Sequence, residues 1–180
     1  LREFVRYLFQ LGYMDTYLIP PKQMPKLHPE APYFFSEDEL FCFFRECDSY
    51  YAENFGPRAR GIIMPALFRV LYCCGLRPKE ARMLPYGNVN LTEKYIDIIQ
   101  SKGPKSRRIF ISDELASYLM IYDNHVSAMF PKRHYFFPVD VDKAYSVQTI
   151  GYNFTLIWKK AFPEWSGKLP RIYDLRHHFA

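Results

Sequence analysis

The sequence predicts a mainly α-helical protein with a small antiparallel β-sheet, an α+β fold. Two observations carry that prediction. Apolar residues recur at helical spacing through most of the chain, in segments opened by capping residues and closed by glycine. A single stretch between residues 89 and 111 switches to strand formers on either side of a turn-forming run.

The elements follow in order. Leu1, Phe4, Val5, Leu8 and Phe9 mark a first helix, with Gly12 as its stop. Pro20, Pro21, Pro25, Pro29 and Pro32 then exclude regular helix and favour a stiff, extended connector. The predicted organisation is residues 1–18 as the end of a preceding domain, 19–32 as a proline-rich linker, and 33–180 as the main domain. Ser36 and Glu39 have the spacing of a capping box, followed by the apolar face of Leu40, Phe43, Phe44 and Cys47. A strongly apolar helix from about residue 58 to 74 ends at Gly75, and Pro78 suits the first turn of a short helix with Ala81 and Leu84 inward.

Val89, Leu91, Tyr95, Ile96, Ile98 and Ile99 are strand formers, and residues 108–111 form a second short run. Ser101-Lys102-Gly103-Pro104-Lys105-Ser106 between them is a turn by composition. Ser112 caps a further helix to about residue 129, residues 134–139 read as loop or short extended chain, residues 146–162 as helix, and Arg171 begins a last helix.

Composition narrows the function. With 49% hydrophobic residues, 16 Phe and 15 Tyr, the chain has ample material for one core, so disorder is excluded. The net charge of +5 and a pI near 9.0 fit a polyanionic partner. Cys42, Cys47, Cys73 and Cys74 lack the spacing of a zinc site or a disulfide framework and read as thiols in a reducing compartment. No apolar stretch has the length of a membrane span and no signal peptide opens the chain, so a cytoplasmic location without membrane partners is expected. Residue 1 is Leu within an amphipathic pattern and residue 180 falls in a continuing helix, which suggests a longer parent chain.

Three segments stand out together: Gly75-Leu76-Arg77-Pro78-Lys79-Glu80-Ala81-Arg82-Met83-Leu84, then Ser101-Lys102-Gly103-Pro104-Lys105-Ser106-Arg107-Arg108-Ile109, then Pro170-Arg171-Ile172-Tyr173-Asp174-Leu175-Arg176-His177-His178-Phe179-Ala180. In order and spacing they resemble the tyrosine recombinase (phage integrase) family over essentially residues 33–180. That family carries a GLR-x-x-E box, a lysine on a β-hairpin turn, and an H/Y-x-L-R-H-x-F-A box. The resemblance implies a recombinase catalytic-domain fold and site-specific DNA recombination or integration. In that chemistry a tyrosine attacks a phosphodiester, forming a 3′-phosphotyrosyl link and freeing a 5′-hydroxyl.

A guanidinium fork binds two phosphate oxygens at once and stays charged at any working pH, so Arg77 and Arg176 are the implied phosphate clamp. Lys102 is the implied general acid for the leaving 5′-oxygen. Tyr173 stands where many relatives have His; either its hydroxyl hydrogen-bonds the phosphate, as the resemblance implies, or the side chain serves helix packing. His177 is implied to bond in the site or brace Arg176, His178 has no assigned role, and Glu80 is read as structural, orienting the Arg77 region or capping the short helix. Lys102, Lys105, Arg107 and Arg108 gather positive charge without an acid, and the last three are read as DNA contacts.

The implied partner is double-stranded DNA, with self-association on paired sites in the intact protein, nucleoid association through DNA, and no cofactor or metal. The family places a His or Trp and then the nucleophilic Tyr beyond the last box, and none of the 15 tyrosines here holds that position, so these residues alone are expected to be inactive. A non-catalytic DNA-binding remnant of a mobile-element integrase is the alternative. A metal-dependent nuclease is disfavoured, because the acids are scattered along helices rather than clustered on strand ends.

Overall fold

The computed structural model describes residues 2–15, 31–53, 59–99 and 106–179. The chain divides into two units, 1–31 and 32–180. In the first, helix α1 (Arg2–Gln10) closes in a Schellman turn: Gly12 takes φ 73°, its N–H donates to Phe9 O (3.1 Å), and Tyr13 N–H donates to Leu8 O (3.0 Å). The proline-rich connector lies mostly outside the described residues.

The second unit is built around α3 (Arg60–Cys74), which is apolar nearly all round and buried along most of its length. Helices α2 (Glu37–Glu53), α5 (Asp113–Met129) and α7 (Ile172–Phe179) pack on it, and α6 (Val147–Ala161) packs on α2. An aromatic cluster of Phe43, Phe68, Phe154 and Trp158 joins α2, α3 and α6 and dominates the buried volume.

Local signals set the helix starts. Ser36 Oγ accepts from Glu39 N–H (3.1 Å) while the Glu39 carboxylate accepts from Ser36 N–H (2.8 Å), completing the capping box of α2. Ser112 and Ser146 cap α5 and α6 by accepting from Leu115 and Thr149 N–H groups.

A three-stranded antiparallel sheet packs beside this helical body: β1 (Val89–Asn90), β2 (Tyr95–Ile98) and β3 (Arg107–Phe110), in that order. The strand-forming run of the sequence is split, because Asn90 Oδ1 accepts from Glu93 N–H (2.8 Å) and Lys94 adopts φ 56° to reverse the chain. Registers Ile96↔Ile109 and Ile98↔Arg107 put those four residues on one face, and Tyr95↔Phe110 and Asp97↔Arg108 on the other.

A second hairpin was not anticipated. Strands β4 (Pro138–Asp140) and β5 (Lys143–Ala144) pair antiparallel, and the chain before them is tied by Phe136 N–H to Leu84 O (2.8 Å) and Tyr86 N–H to His134 O (2.8 Å). These are long-range backbone bonds, which residue periodicity does not announce. Among the described residues no helix is long and apolar enough to cross a membrane.

The end of α3 meets the end of α7. Gly75 caps α3 at φ 57°, and a Cβ placed there would stand 2.3 Å from Cδ1 of Phe179. Gly75→Ala is therefore expected to cost at least about 1–2 kcal/mol from the left-handed backbone alone, beyond the displacement of Phe179. Thermal denaturation checks this; an unchanged Tm would show that the turn relaxes freely.

Candidate phosphate-binding site

The site is assembled where this turn leads into a helix start. After Gly75, Leu76 is fully buried and anchors the chain, and Arg77 is extended (φ −69°, ψ 145°) at the cap of α4 (Pro78–Arg82). Pro78 at the first helical position has no N–H to satisfy. Glu80, in the third, accepts from Arg77 N–H (2.9 Å) and from Arg77 Nη1 (2.8 Å). This is half of a capping box, since a guanidinium has no acceptor to return.

Two further arginines converge on the same carboxylate. Arg107, on the face of β3 it shares with Ile109, grips Glu80 in a bidentate pair: Nη2 to Oε2 at 2.6 Å and Nη1 to Oε1 at 3.1 Å. Arg176, one turn into α7, donates from Nη1 to the Gly75 carbonyl, and the same nitrogen lies 3.9 Å from Glu80 Oε2. Glu80 is thus a hub for residues from α4, β3 and α7, its side chain only 10% exposed. Burial pushes its pKa up, but hydrogen bonds from Arg107 and from the backbone and side chain of Arg77 outweigh that and hold it at about 2. Bonding and attraction to Glu80 raise the pKa of Arg77, with a smaller contribution from the Tyr173 hydroxyl.

Three guanidiniums against one carboxylate leave a net charge of +2. Arg77 commits Nη1 to Glu80 and Arg176 commits Nη1 to Gly75, so each fork, with five N–H donors, keeps some for another acceptor. Both are partly exposed, at 46% and 29% of the side chain, and accessible to an anion from solvent.

The other predicted residues divide. Tyr173 is 39% exposed at the start of α7, close enough to Arg77 to influence it, and its ring lies 5.1 Å from that of His177. His178 instead packs among aromatics, stacked 5.7 Å from Tyr72 and edge-on to Phe35. Arg108 points to the opposite face of the sheet from Arg107. It pairs bidentately with Asp97 (2.8 and 2.8 Å) and lies 3.7 Å from the centroid of the Tyr95 ring. Lys102 and Lys105 lie outside the described residues.

Sequence reading gave Glu80 a structural role and Arg107 a DNA contact, and did not see their pairing; the available signal was strand alternation, which places Arg107 with Ile109 and away from Arg108. Asp174 was also missed. It is fully buried and accepts from Arg171 N–H (2.7 Å), repeating at the start of α7 the device that Glu80 supplies at α4. Among the described residues no group of three or more His, Cys, Asp or Glu side chains is gathered as metal ligands are.

The model of the phage integrase family matches residues 38–180. Solved structures similar to the chain include a XerA recombinase (TM-score 0.66, 24% identity, covering 98% of this chain and 57% of that one). A XerH site-specific recombinase bound to difH substrate in a pre-cleavage complex gives a TM-score of 0.66 at 20% identity, covering 91% and 44%. A lambda integrase dimer bound to a COC′ core site gives 0.65 at 13% identity, covering 99% and 61%. The chain therefore spans between 44% and 61% of the length of these recombinases, whose likeness to it is one of fold. No curated protein matches the sequence.

Proposed function

Since the chain belongs to the phage integrase family of tyrosine recombinases, we propose that its arginine cluster holds a DNA phosphodiester for site-specific strand cleavage and rejoining by the whole protein. The observation that carries this reading is the convergence of Arg77, Arg107 and Arg176 on Glu80.

The charge balance suits the reaction. A phosphodiester carries one negative charge, and attack by a tyrosine oxygen adds a second to the non-bridging oxygens in the transition state. A site of net +2 neutralises the transition state more fully than the ground state, which is the condition for lowering the barrier. Arg77 and Arg176 supply the forks. Glu80 orients them, and Arg107 acts through Glu80 by fixing the carboxylate.

As the tyrosine oxygen, its hydroxyl proton released to solvent, bonds to phosphorus, the bond to the 5′-oxygen breaks, and that oxygen takes a proton from Lys102. Tyr173 donates a hydrogen bond to a phosphate oxygen, and His177, packed against Tyr173, braces this end of α7. The family resemblance places the attacking tyrosine downstream of the last box, outside these residues. Lys105 and Arg108 extend the contact with the DNA backbone. Lambda integrase has been captured as a dimer on a core site and as a tetramer on a Holliday junction; pairing of DNA sites by self-association is part of the same proposal for this protein.

The test is cleavage by the whole protein of its recombination site in the presence of a chelator, scored as a covalent 3′-phosphotyrosyl complex. Lys102→Ala is expected to slow this step by about 10²–10⁴-fold. A bridging 5′-sulfur, which leaves with little need of a proton, is expected to restore the rate. Absence of rescue would remove Lys102 from the role of acid, and loss of all cleavage in chelator would overturn the covalent route.

A further inference from the structure

A second cationic recess lies at the other end of α4, and sequence reading assigns none of its residues a functional role. It encloses about 440 Å³ between α4, the start of α3, the β4–β5 hairpin and the start of α6. Arg60, Arg82 and Lys143 line it against a single carboxylate, Asp142. Ser146 and Thr149 line it as well, at the N-terminal end of the 15-residue α6.

We propose that this recess is a second phosphate subsite, taking a backbone phosphate of the same DNA whose scissile phosphate lies at Arg77 and Arg176. The inference rests on reading the arginine cluster as the clamp. Three features support it.

Arg82 is held in place but not used up. Its Nη1 donates to the Tyr145 carbonyl (3.1 Å) and contacts Met83 Sδ (3.3 Å). Its Nη2 makes no hydrogen bond to the described residues and remains for another acceptor, whereas Nε is shut off from solvent. A guanidinium immobilised with donors in hand pays little ordering cost when an oxyanion arrives.

The end of α6 adds to the field. Ser146 Oγ satisfies the Thr149 N–H (3.0 Å), while the earlier amides of Val147 and Gln148 have no acceptor among the described residues. With three side-chain cations the site combines formal charge and helix dipole, and Asp142 offsets only one charge.

The third feature is position. Met83, at the C-terminal cap of α4, lines both this recess and the one that contains Arg77 and Glu80, so the two are neighbours. Two anion sites side by side suit a polymeric backbone, which carries one charge per about 3.4 Å of axis along each strand, better than a free phosphate ion.

The experiment is binding of a labelled duplex by the whole protein across a salt series, for the wild type and the Lys143→Gln, Arg82→Gln and Arg77→Ala variants. Each of the first two is expected to reduce the slope of log affinity against log salt by about 1, the loss of one phosphate contact. The Lys143 side chain is exposed and makes no hydrogen bond or ion pair among the described residues, so its variant keeps the test open if Arg82→Gln fails to fold. An unchanged slope in both, with a reduced slope in Arg77→Ala, overturns the second subsite and leaves the clamp standing. A wild type that binds no duplex takes down both. Thermal stabilisation of the wild type, but not of Lys143→Gln, by inorganic phosphate, with duplex slopes unaltered, would make this a small-anion site and overturn the DNA assignment.

Discussion

Alanine at Arg176 is expected to lower DNA strand cleavage by the whole protein about 10³-fold, while duplex affinity falls by no more than about tenfold. The asymmetry follows from where the charge develops. A backbone phosphate is one of many such contacts in the ground state, so losing one of them weakens binding modestly. In the transition state the extra charge sits on the non-bridging oxygens alone, where the Arg176 fork is aimed by its bond to the Gly75 carbonyl. Arg77→Ala should behave similarly, since its fork is aimed from the other side by Glu80. Lysine should not rescue either position, because a single ammonium cannot span two oxygens or hold the second bond that fixes the fork. Cleavage within a few-fold of wild type in both alanine variants, with unaltered folding by circular dichroism, would sink the clamp assignment.

The fold was legible wherever its cause is local. The Ser36/Glu39 box, the Ser112 cap and the Gly12 turn each depend on residues within five positions of one another, and each forms as its spacing predicts. What remained hidden depends on parity or on distant partners. Arg107 and Arg108 are chemically equal neighbours; only the strand register sends one to Glu80 and the other to Asp97. Gly75 announces a helix end, yet the second reason for glycine there is Phe179, more than a hundred residues away in sequence. The recess at Arg82 likewise needs Arg60 and Lys143 brought from different elements, and nothing in their local sequence marks them. Motif order put Arg77 and Arg176 forward as candidates, which periodicity cannot do; Glu80 was read as orienting Arg77 or capping α4, and its reach to Arg107 and Arg176 was hidden.

That carboxylate gives the second large effect. Glu80→Gln is expected to destabilise the protein by about 3 kcal/mol at neutral pH, from a carboxyl pKa of about 2 in the folded state against 4.5 unfolded. Because the folded pKa is depressed, this stability is fully present above about 4.5 and is lost as pH falls toward 2. Urea denaturation of wild type and variant across that window should show the gap closing as pH falls, and comparing the two cancels the titration of other carboxylates. A gap that stays constant from pH 7 to 3 would mean that Glu80 contributes shape rather than charge. Function separates the roles further. Removing the charge raises the cluster from net +2 to +3, so affinity for duplex DNA should hold or increase. Cleavage should nevertheless fall, by about 10²-fold, because three guanidiniums without their common acceptor repel one another and lose the alignment that the transition state requires. Tighter binding with slower chemistry is the signature of a residue that positions the clamp; a parallel loss of both would indicate that Glu80 only holds α4 in place.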